Sequence, residues 1–591
     1  MKKKIVWVVV SCLMVAALLL SSCAPAVTEE EEVIAPPKEE KEVVTEEEVA
    51  PPPGEPMYGG VLNFALSAPT YGFDEGYVIP PFCTTLNLTH EDLMTGDWSK
   101  GPAGTAETTW QLPTFVPPAE VGCLAESWET PDEETVVLHI RHGVHWHDKP
   151  PVNGREMTAD DVVFNLKRLF FSDLPITAGL GVLRENVHSV TAPDRYTVVV
   201  KGDPRFIWRA AEEFTEVMKI LPPEAGGEYP GDFRDWRVCI GTGPFMLEDE
   251  VPGGSLTFVR NPNYWRNDPV HPENTLPYVD GVNILVIPDA STRLAALRTG
   301  KIAQLGRLSW EDRDSLVKTN PKLQWVGGLG MTALMGMRVD KPELPFYDIR
   351  VRRALAIGLD RQAIAETYYG GNAEVFAFPI MPRKEFKDMF VPLDEFPESI
   401  QELYQYNPEK TRQLLAEAGY PDGFKTEIVC TAGQADLLSI VKANWAEIGV
   451  DLELDLKEMG VFRGMSMQHT HKQMFFSGAT ADPQKLRNFL PGLSHNTSMV
   501  SDPYIDEIYT VKLVKSVWDW DTLARVYKEE LTQYILEQCW YIDFPTPVTY
   551  TFWQPWLKGY HGEICVGHLN ADSWPIYVWL DQELKKEMTG R

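Results

Sequence analysis

Histidine and cysteine are the side chains of this 591-residue sequence most suited to metal binding or nucleophilic chemistry. Four of its twelve histidines are crowded together, at His139, His142, His145 and His147. Imidazole nitrogens suit first-row divalent metals, and the odd-numbered members share one face if they lie on a continuous strand. His469 and His471 form a second close pair. A metal site is therefore one hypothesis, although no Cys-x-x-Cys pair accompanies these histidines.

Signatures of a hydrolase are missing from the sequence. It has no Gly-x-Ser-x-Gly nucleophile elbow, and His90-Glu91 lacks the second histidine four residues on that a zinc protease helix needs. Carboxylates are so abundant that no pair stands out as a glycosidase dyad. The alternation of Asp451, Glu453 and Asp455 is most simply the solvated face of a strand. We therefore expect a protein that is not an enzyme and that needs no cofactor.

Cys23 stands between an apolar run and an acidic stretch. Lysines at 2–4 precede the apolar residues 5–20, and such an arrangement is typical of a secretory signal. The apolar run is shorter than the roughly 20 residues of a membrane-spanning helix. The order Leu20-Ser21-Ser22-Cys23 resembles the bacterial lipoprotein box, which implies that residues 1–22 are removed and that Cys23 is acylated. An ordinary secretory peptide with an incidental cysteine is the alternative.

Residues 23–56 are predicted to form a disordered tether. Positions 24–56 hold eleven glutamates and two lysines, with proline runs at 36–37 and 51–53. Such a stretch has too few apolar groups to offset the entropy lost on folding. A lipid on Cys23 would hold the folded part at the outer face of the cell membrane, in the periplasm or on the cell surface, with no other membrane contact.

The net charge of −31 argues against nucleic acid as a partner, because phosphates need a basic surface. An acidic surface suits solubility outside a cell. Exported proteins can form disulfides, but the sequence leaves any pairing open among the six cysteines beyond the tether: Cys83, Cys123, Cys239, Cys430, Cys539 and Cys565.

Strand-like and helix-like patterns alternate after residue 57, which predicts an α/β fold with several lobes. The strand-like runs are 61–66, 136–142, 196–200, 255–260, 282–287, 425–430 and 451–456. Asn407-Pro408 predicts the start of a helix that ends at Gly419. Thr158 and Asp161 form a predicted capping box for another helix.

One long segment of the sequence and five shorter motifs that follow it along the chain are typical of a known family. The long segment is "CLAESWETPDEETVVLHIRHGVHWHD" (123–148) with "MTADDVVFNLKRL" (157–169). The motifs are "GTGPF" (241–245), "RNPNYW" (260–265), "IPDASTRLAALRTGKI" (287–302), "DIRVRRALAIGLDRQAI" (348–364) and "YNPEKTRQLLAEAGYPDGF" (406–424). Together they resemble the family 5 extracellular solute-binding proteins, the dipeptide-, oligopeptide- and nickel-binding components of bacterial ABC importers. The likeness covers essentially all of residues 57–591.

This resemblance implies the type II (cluster C) periplasmic-binding-protein fold, with two lobes, two hinge crossovers and an extra subdomain. The expected bounds are 57–112, 228–325 and 545–591 for lobe I, 113–227 for the extra subdomain and 326–544 for lobe II. A ligand would lie in the cleft, the lobes would close over it by hinge motion, and the closed form would dock on an ABC permease. We expect a monomer that leaves its ligand unchanged.

The resemblance also implies a set of ligand-binding residues: Tyr71, Phe73, Arg338, Phe476, Gly478, Ala479, Thr480, Asp482 and Asn496. Many peptide binders have W-x-G-D followed by D-P, whose first aspartate holds the peptide's α-ammonium group. The matching stretch here is "FFSGATADP" (475–483), in which Phe476 replaces the tryptophan and Ala479 replaces that aspartate. Arg338 stands where many relatives have asparagine, and either faces an anionic group or points to solvent.

Several ligand classes stay open at this point. A peptide is the default, but the loss of the aspartate at 479 predicts weak binding of short peptides with a free N-terminus, unless Asp482 or another carboxylate replaces it. Blocked peptides or uncharged oligosaccharides should bind better. Family members with organic ligands also have histidine and aspartate at the positions of His147 and Asp148, so we expect no metal. A sensory receptor with the same fold and no transport role is a further alternative.

Overall fold

The computed structural model describes residues 54–70, 72–77, 86–174, 186–204, 219–479, 483, 486–513, 516 and 519–590. Its strands are β1 (Val61–Leu66), β2 (Met94–Gly96), β3 (Glu120–Gly122), β4 (Ala125–Asp132), β5 (Thr135–Ile140), β6 (Val187–Asp194), β7 (Thr197–Gly202), β8 (Phe245–Val251), β9 (Ser255–Arg260), β10 (Gly281–Val286), β11 (Gln304–Leu308), β12 (Gln324–Leu329), β13 (Ala333–Met337), β14 (Ala373–Glu374), β15 (Phe424–Cys430), β16 (Val450–Leu456), β17 (Met474–Gly478), β18 (Tyr541–Asp543), β19 (Thr546–Trp553), β20 (Leu557–Lys558) and β21 (Trp579–Leu580).

The α-helices of the same residues are α1 (Leu86–Thr89), α2 (Ala159–Phe171), α3 (Pro223–Gly226), α4 (Ala290–Arg298), α5 (Trp310–Thr319), α6 (Ile349–Ile357), α7 (Arg361–Ala363), α8 (Glu398–Gln401), α9 (Pro408–Glu417), α10 (Ala435–Ala446), α11 (Met459–Gln468), α12 (Pro503–Glu507), α13 (Trp520–Val526), α14 (Thr532–Gln538) and α15 (Gln582–Thr589). Among the described residues, three stretches are π-helical: Ile364–Tyr368, Ile508–Leu513 and Tyr527–Leu531. The expected α/β class is confirmed.

Helix boundaries follow the predicted caps. The side chain of Asn407 accepts a hydrogen bond from the Lys410 amide at 3.0 Å at the start of α9, and Gly419 has a positive φ of 94° just beyond its end. At the start of α2 the Thr158 amide donates to Asp161 Oδ2 at 2.9 Å, as a capping box requires.

The first sheet lies in the part of the chain predicted to be lobe I. Its strand order is β1-β10-β9-β8, with β1 parallel to β10 and the other pairs antiparallel. Phe64, Ile284 and Phe258 are 2% exposed or less and point to one core, as expected for alternate residues of adjacent strands.

A five-stranded sheet lies in the part predicted to be lobe II, in the order β16-β15-β17-β13-β18. Strand β15 is parallel to β16 and β17, while β13 is antiparallel to β17 and β18. Its core includes Leu355 of α6 and Leu438 and Trp445 of α10, all fully buried. The parallel centre and the covering helices are what α/β patterning leads one to expect.

A separate antiparallel sheet, β4-β5-β7-β6, carries its own core with α2 packed against it. Leu138, Leu166 and Val198 are fully buried within that core. This part of the chain falls inside the predicted extra subdomain.

Strands β11, β19 and β12 form another large sheet in that order, and β14 also pairs with β19. Strand β19 is antiparallel to all three partners. The predicted lobe boundary after 325 falls inside β12, and the one after 544 falls just before β19. The two strands pair directly, from Gln324 opposite Trp553 to Leu329 opposite Val548. Paired crossover strands are a suitable place for a hinge, because their ladder holds while the flanking turns absorb rotation.

Candidate ligand-binding site

The end of β17 lies beside the crossover strands. Ala479, directly after β17, donates its amide to the carbonyl of Thr332 at 2.8 Å. The hydroxyl of Thr332 in turn hydrogen-bonds the hydroxyl of Thr546, the first residue of β19, at 2.6 Å. The loop predicted to bind ligand therefore starts where the two predicted lobes join.

Ala479 and Gly478 differ sharply in exposure. Ala479 is 5% exposed and belongs to the largely apolar core that also contains Leu486 and Phe489, whereas Gly478 is exposed and pairs with Ala333 of β13. The position that the resemblance assigned to an ammonium-binding aspartate thus carries no charge and no polar side chain.

Phe476 and Asn496 have structural roles in this conformation. Phe476 is 7% exposed, and its ring lies 5.6 Å from that of Phe544 in the core of the five-stranded sheet. The amide of Asn496 donates to the carbonyls of Leu490 and Val500 at 3.0 and 2.8 Å. Its oxygen accepts the Val500 amide at 2.8 Å, so that all these contacts stabilise one loop.

Arg338 is paired with groups of the protein itself. Its Nη1 donates to the carbonyls of His469 and His471 at 3.2 and 2.8 Å, beyond the C-terminal end of α11. Its Nε and Nη2 donate to both oxygens of Asp340, at 2.9 and 2.5 Å. Arg338 therefore fixes the turn that follows α11 and neutralises Asp340. No local pattern indicates this role, since the carbonyl partners lie more than 130 residues away.

Phe73 is 4% exposed and lies in a loop held by buried polar contacts. The neighbouring Asp74 pairs with Arg168 of α2 at 2.8 Å, with both side chains fully buried. The next residue, Glu75, accepts the backbone amide of Lys219 at 2.7 Å. The loop that carries Phe73 is thus fixed to the predicted extra subdomain.

Four of the residues that the sequence analysis singled out lie outside the described residues: Cys23, Tyr71, Thr480 and Asp482.

Lys219 connects three polar side chains in the interior. Its ammonium group pairs with Asp92 and donates to Asn570 Oδ1 at 2.5 Å. Burial raises the pKa of Glu75 to about 8 and that of Asp92 to about 6, although the charge of Lys219 opposes both shifts. Carboxyls with raised pKa values often mark functional sites, and sequence reasoning missed this group because its members are scattered along the chain.

The carboxylate of Glu91 accepts hydrogen bonds from residues of two of the sequence motifs. Thr242 of "GTGPF" donates to its Oε2 at 2.9 Å. Tyr264 and Trp265 of "RNPNYW" donate to Oε1 and Oε2 at 2.8 and 2.9 Å. A buried carboxylate with this many donors is well stabilised, so the motifs build structure and His90-Glu91 is no fragment of a protease site.

The crowded histidines do not share a strand face, because β5 ends at Ile140. His147 is fully buried, donates from Nε2 to the carbonyl of Gly243 at 3.0 Å and accepts the Gly241 amide on Nδ1 at 3.2 Å. Burial lowers its pKa to about 4, so it is neutral at pH 7. Within the described part of the chain, no group of three His, Cys, Asp or Glu side chains is arranged to hold a metal ion.

The described cysteines are unpaired and buried: Cys123, Cys239, Cys430, Cys539 and Cys565. Burial raises the pKa of each thiol, which keeps it protonated at neutral pH.

None of the helices in the described ranges is long and apolar enough to cross a membrane.

A groove of about 710 Å³ lies away from the predicted site residues, between β1 and α15. Its lining includes Lys301, Lys585 and Lys586, and it contains none of the residues that the resemblance assigned to ligand binding. The groove is therefore separate from the candidate ligand-binding site.

The geometry defines a class of protein: α/β lobes that meet at paired crossover strands, with the candidate ligand loop beside them. Solved structures have the same fold. The periplasmic binding protein DppA of Helicobacter pylori, in complex with the peptide STSA, superposes with a TM-score of 0.68 at 22% identity, over 89% of this chain and 99% of that one. The fold is that of the two-lobed, type II periplasmic binding proteins.

Sequence comparison narrows the class to a family. Residues 120–501 match the family model described as bacterial extracellular solute-binding proteins, family 5. The chain is 29% identical to heme-binding protein A of Haemophilus influenzae over 413 residues, 63% of this chain and 69% of that protein. It is 27% identical to a dipeptide-binding protein of Pseudomonas aeruginosa over 485 residues, 75% of this chain and 83% of that protein. The chain belongs to family 5 of the bacterial extracellular solute-binding proteins.

Membership of family 5 establishes the general role of the protein, which is solute binding for an ABC importer. Proteins of this family are the extracytoplasmic solute-binding components of ABC importers, and they bind their solutes without acting as enzymes. The expectation of a binding protein that works with an ABC permease is confirmed at that level.

Proposed function

We propose that the chain captures a peptide-like solute in the cleft between its lobes and delivers it unchanged to the permease of an ABC importer. The names of its relatives support this ligand class, since dipeptide- and oligopeptide-binding proteins are prominent among them. A binding protein needs no chemistry, only a higher affinity for the solute in the closed state than in the open one.

The proposed preference for a peptide with a blocked N-terminus rests on Ala479. It is buried beside Thr332 at the junction of the lobes, with no carboxylate of its own to receive an ammonium group. A buried charge without a partner is strongly unfavourable, and a hydrogen bond to a charged group contributes about 1.5–3 kcal/mol. The preferred solute is therefore a peptide whose N-terminus is blocked or modified.

Calorimetry with one peptide in two forms tests this. The probes are Ser-Thr-Ser-Ala with a free amine and its N-acetyl form, titrated into the full chain. We expect the acetylated peptide to bind at least tenfold more tightly, which corresponds to about 1.4 kcal/mol. A clear preference for the free amine that is abolished by Asp482→Asn would show that Asp482 supplies the missing carboxylate. Binding of an uncharged oligosaccharide but of neither peptide would assign the protein to oligosaccharides instead.

We also propose that Cys23 is acylated and anchors the protein to the outer face of the membrane. The support is the signal-like order of lysines, apolar residues and small residues before it. Replacement by Cys23→Ser should release the protein into the medium or periplasm, and mass spectrometry should then find no lipid on it. Equal membrane retention of the variant would contradict the anchor.

A further inference from the structure

Two segments far apart in the chain meet in a buried polar contact between Thr109 and the pair Arg383 and Glu385. Arg383 Nη2 donates to Thr109 Oγ1 at 2.6 Å, and the same hydroxyl donates to Glu385 Oε1 at 2.5 Å. The Thr109 amide and the Thr108 hydroxyl donate to Glu385 Oε1 as well, at 2.9 and 3.1 Å. The hydroxyl of Thr109 thus bridges a cation and an anion whose closest charged atoms are 3.6 Å apart.

The electrostatics of this contact depend on both segments. Arg383 and Glu385 are 8% and 7% exposed. Burial alone would raise the pKa of the Glu385 carboxyl, but the charge of Arg383 and the hydrogen bonds from Thr109 hold that pKa below its usual value. Taking charges out of water is costly unless hydrogen bonds replace the lost solvent, so the hydrogen bonds from Thr109 offset part of the cost of burying the pair.

Each segment is fixed to a different predicted lobe. The carbonyl of Trp110, next to Thr109, accepts the amides of Ile564 and Cys565 at 2.7 and 3.0 Å, in the part assigned to lobe I. The ring of Phe386, next to Glu385, stacks on Trp520 of lobe II with centroids 6.3 Å apart. Separation of the predicted lobes would draw Thr109 away from Glu385.

The contact also touches the crossover strands. Arg383 Nη1 donates to the carbonyl of Leu329, the last residue of β12, at 2.6 Å. The side chain of Gln111 lies directly against Gly328 in the same strand, in space that any Cβ at 328 would need. Both segments of the contact are therefore anchored on β12, one of the predicted hinge strands.

The contact is suited to reversible opening. Arg383 Nε and Glu385 Oε2 face each other at 3.6 Å, too far for a hydrogen bond, and neither makes a hydrogen bond elsewhere. Water admitted on opening would hydrate both atoms, which lowers the cost of breaking the contact. A fully satisfied buried network would resist opening more strongly.

We propose that Arg383, Thr109 and Glu385 form an interlobe latch that favours the closed conformation and so increases ligand affinity without touching the ligand. They are positioning residues, and the latch rests on the hinge closure of the proposed function. In the ligand-free protein the latch biases a mixture of open and closed states, and ligand completes the closure.

The test is small-angle scattering of the ligand-free full chain and its variants. Thr109→Val keeps the shape of the side chain and removes the hydroxyl, while Thr109→Ser keeps the hydroxyl. Losing hydrogen bonds to charged groups should lower the closed-to-open ratio about ten- to a hundredfold. We expect a larger radius of gyration for Thr109→Val and for Glu385→Gln, and a value like that of the natural protein for Thr109→Ser.

Matched controls come from lobe II alone. Thr411 is fully buried and its hydroxyl donates to the Asn407 carbonyl at 2.9 Å, so Thr411→Val makes the same change within one lobe. Glu402 pairs with Arg353 at 2.7 Å within lobe II, so Glu402→Gln removes an intralobe ion pair. Both controls can lower the melting temperature, but neither should change the radius of gyration.

Hydrogen exchange at the Thr109 amide gives a second readout, because Thr109→Val retains that amide. It should exchange faster in Thr109→Val and in Glu385→Gln than in the two controls. An unchanged radius of gyration together with unchanged exchange in both latch variants would overturn the latch. If the natural protein still contracts on binding N-acetyl-Ser-Thr-Ser-Ala in that case, the proposed function stands without the latch. If the natural protein does not contract, hinge closure itself is wrong.

Discussion

Asp74 and Arg168 form an ion pair at 2.8 Å in which neither side chain is exposed to solvent. Asp74 Oδ1 also accepts the amide of Gly76 at 2.8 Å. The guanidinium of Arg168 lies over the ring of Phe233, 4.8 Å from its centroid. The pair links the loop that contains Phe73 to helix α2, so the predicted subdomain supports one wall of the predicted cleft.

Replacement of Arg168 should therefore strongly destabilise the protein. Arg168→Met leaves the carboxylate of Asp74 buried without a counter-charge, which costs about 3–5 kcal/mol. Denaturant unfolding measures the loss, and adding Asp74→Asn should restore part of it. Arg234 pairs with Asp232 on the surface, with both side chains more than half exposed. Arg234→Met should cause no measurable change, and an equal effect of the two arginine replacements would contradict this view of the buried pair.

Glu75 should make stability fall as pH rises. Its folded pKa of about 8 exceeds the ordinary value of 4.5, because burial disfavours the charged form. Between these values the folded state retains a proton that the unfolded state releases, so the free energy of unfolding decreases by up to about 1.4 kcal/mol per pH unit. Asp92, with a pKa of about 6, acts in the same direction.

Melting temperatures between pH 4 and pH 9 check this for Glu75→Gln. The variant should be more stable than the natural protein at pH 8, and the difference should shrink toward pH 4. Glu453→Gln changes an exposed carboxyl on β16 and should follow the natural protein throughout. Parallel pH curves for Glu75→Gln and the natural protein would show that Glu75 does not hold its proton.

Replacement by alanine should destabilise the protein at Gly241 and stabilise it at Gly464. A Cβ on Gly241 would overlap the carbonyl oxygen of Thr89, whereas a Cβ on Gly464 of α11 meets nothing within 4 Å. Gly241→Ala should cost at least about 1–3 kcal/mol through overpacking. Gly464→Ala should stabilise by about 0.5–1 kcal/mol, because alanine restricts the unfolded chain and favours helix. Denaturant midpoints decide both, and a neutral Gly241→Ala would mean that the turn has room to shift.

An aspartate introduced at position 479 should change ligand preference. Ala479→Asp buries a carboxylate beside Thr332. A ligand ammonium group would offset the cost of burying that charge, so free-amine Ser-Thr-Ser-Ala should bind at least tenfold better than it does to the natural protein. Gly478→Asp adds the same charge on the opposite side of the strand and serves as the control. Calorimetry compares the two, and an equal gain in both would point to a general charge effect.

Apolar periodicity and capping residues in the sequence predict several strands and helix starts correctly. Strands β1 and β9 coincide with the apolar runs 61–66 and 255–260, and the caps at Asn407 and Thr158 start helices as expected. These features depend on neighbours within a few residues, which is the range over which periodicity and capping act. The lobe bounds are predictions still, although two of them fall at β12 and β19.

The candidate site was harder to predict, because its contacts join distant parts of the chain. Arg338 donates to the carbonyls of His469 and His471 beyond the end of α11, which no local pattern indicates. Phe476 is a core residue because the register of β17 against β13 directs it inward. Glu385 meets Thr109 across 276 residues of sequence. Such pairings follow from the tertiary fold, which spacing along the sequence does not encode.

The most direct test of the account is small-angle scattering of the purified full chain with and without N-acetyl-Ser-Thr-Ser-Ala at saturation. A two-lobed binding protein should show a smaller radius of gyration with the peptide bound, and mass spectrometry should recover the peptide with its mass unchanged. An unchanged radius of gyration with the peptide demonstrably bound, or a peptide that has been cleaved, would contradict capture by closure of the lobes.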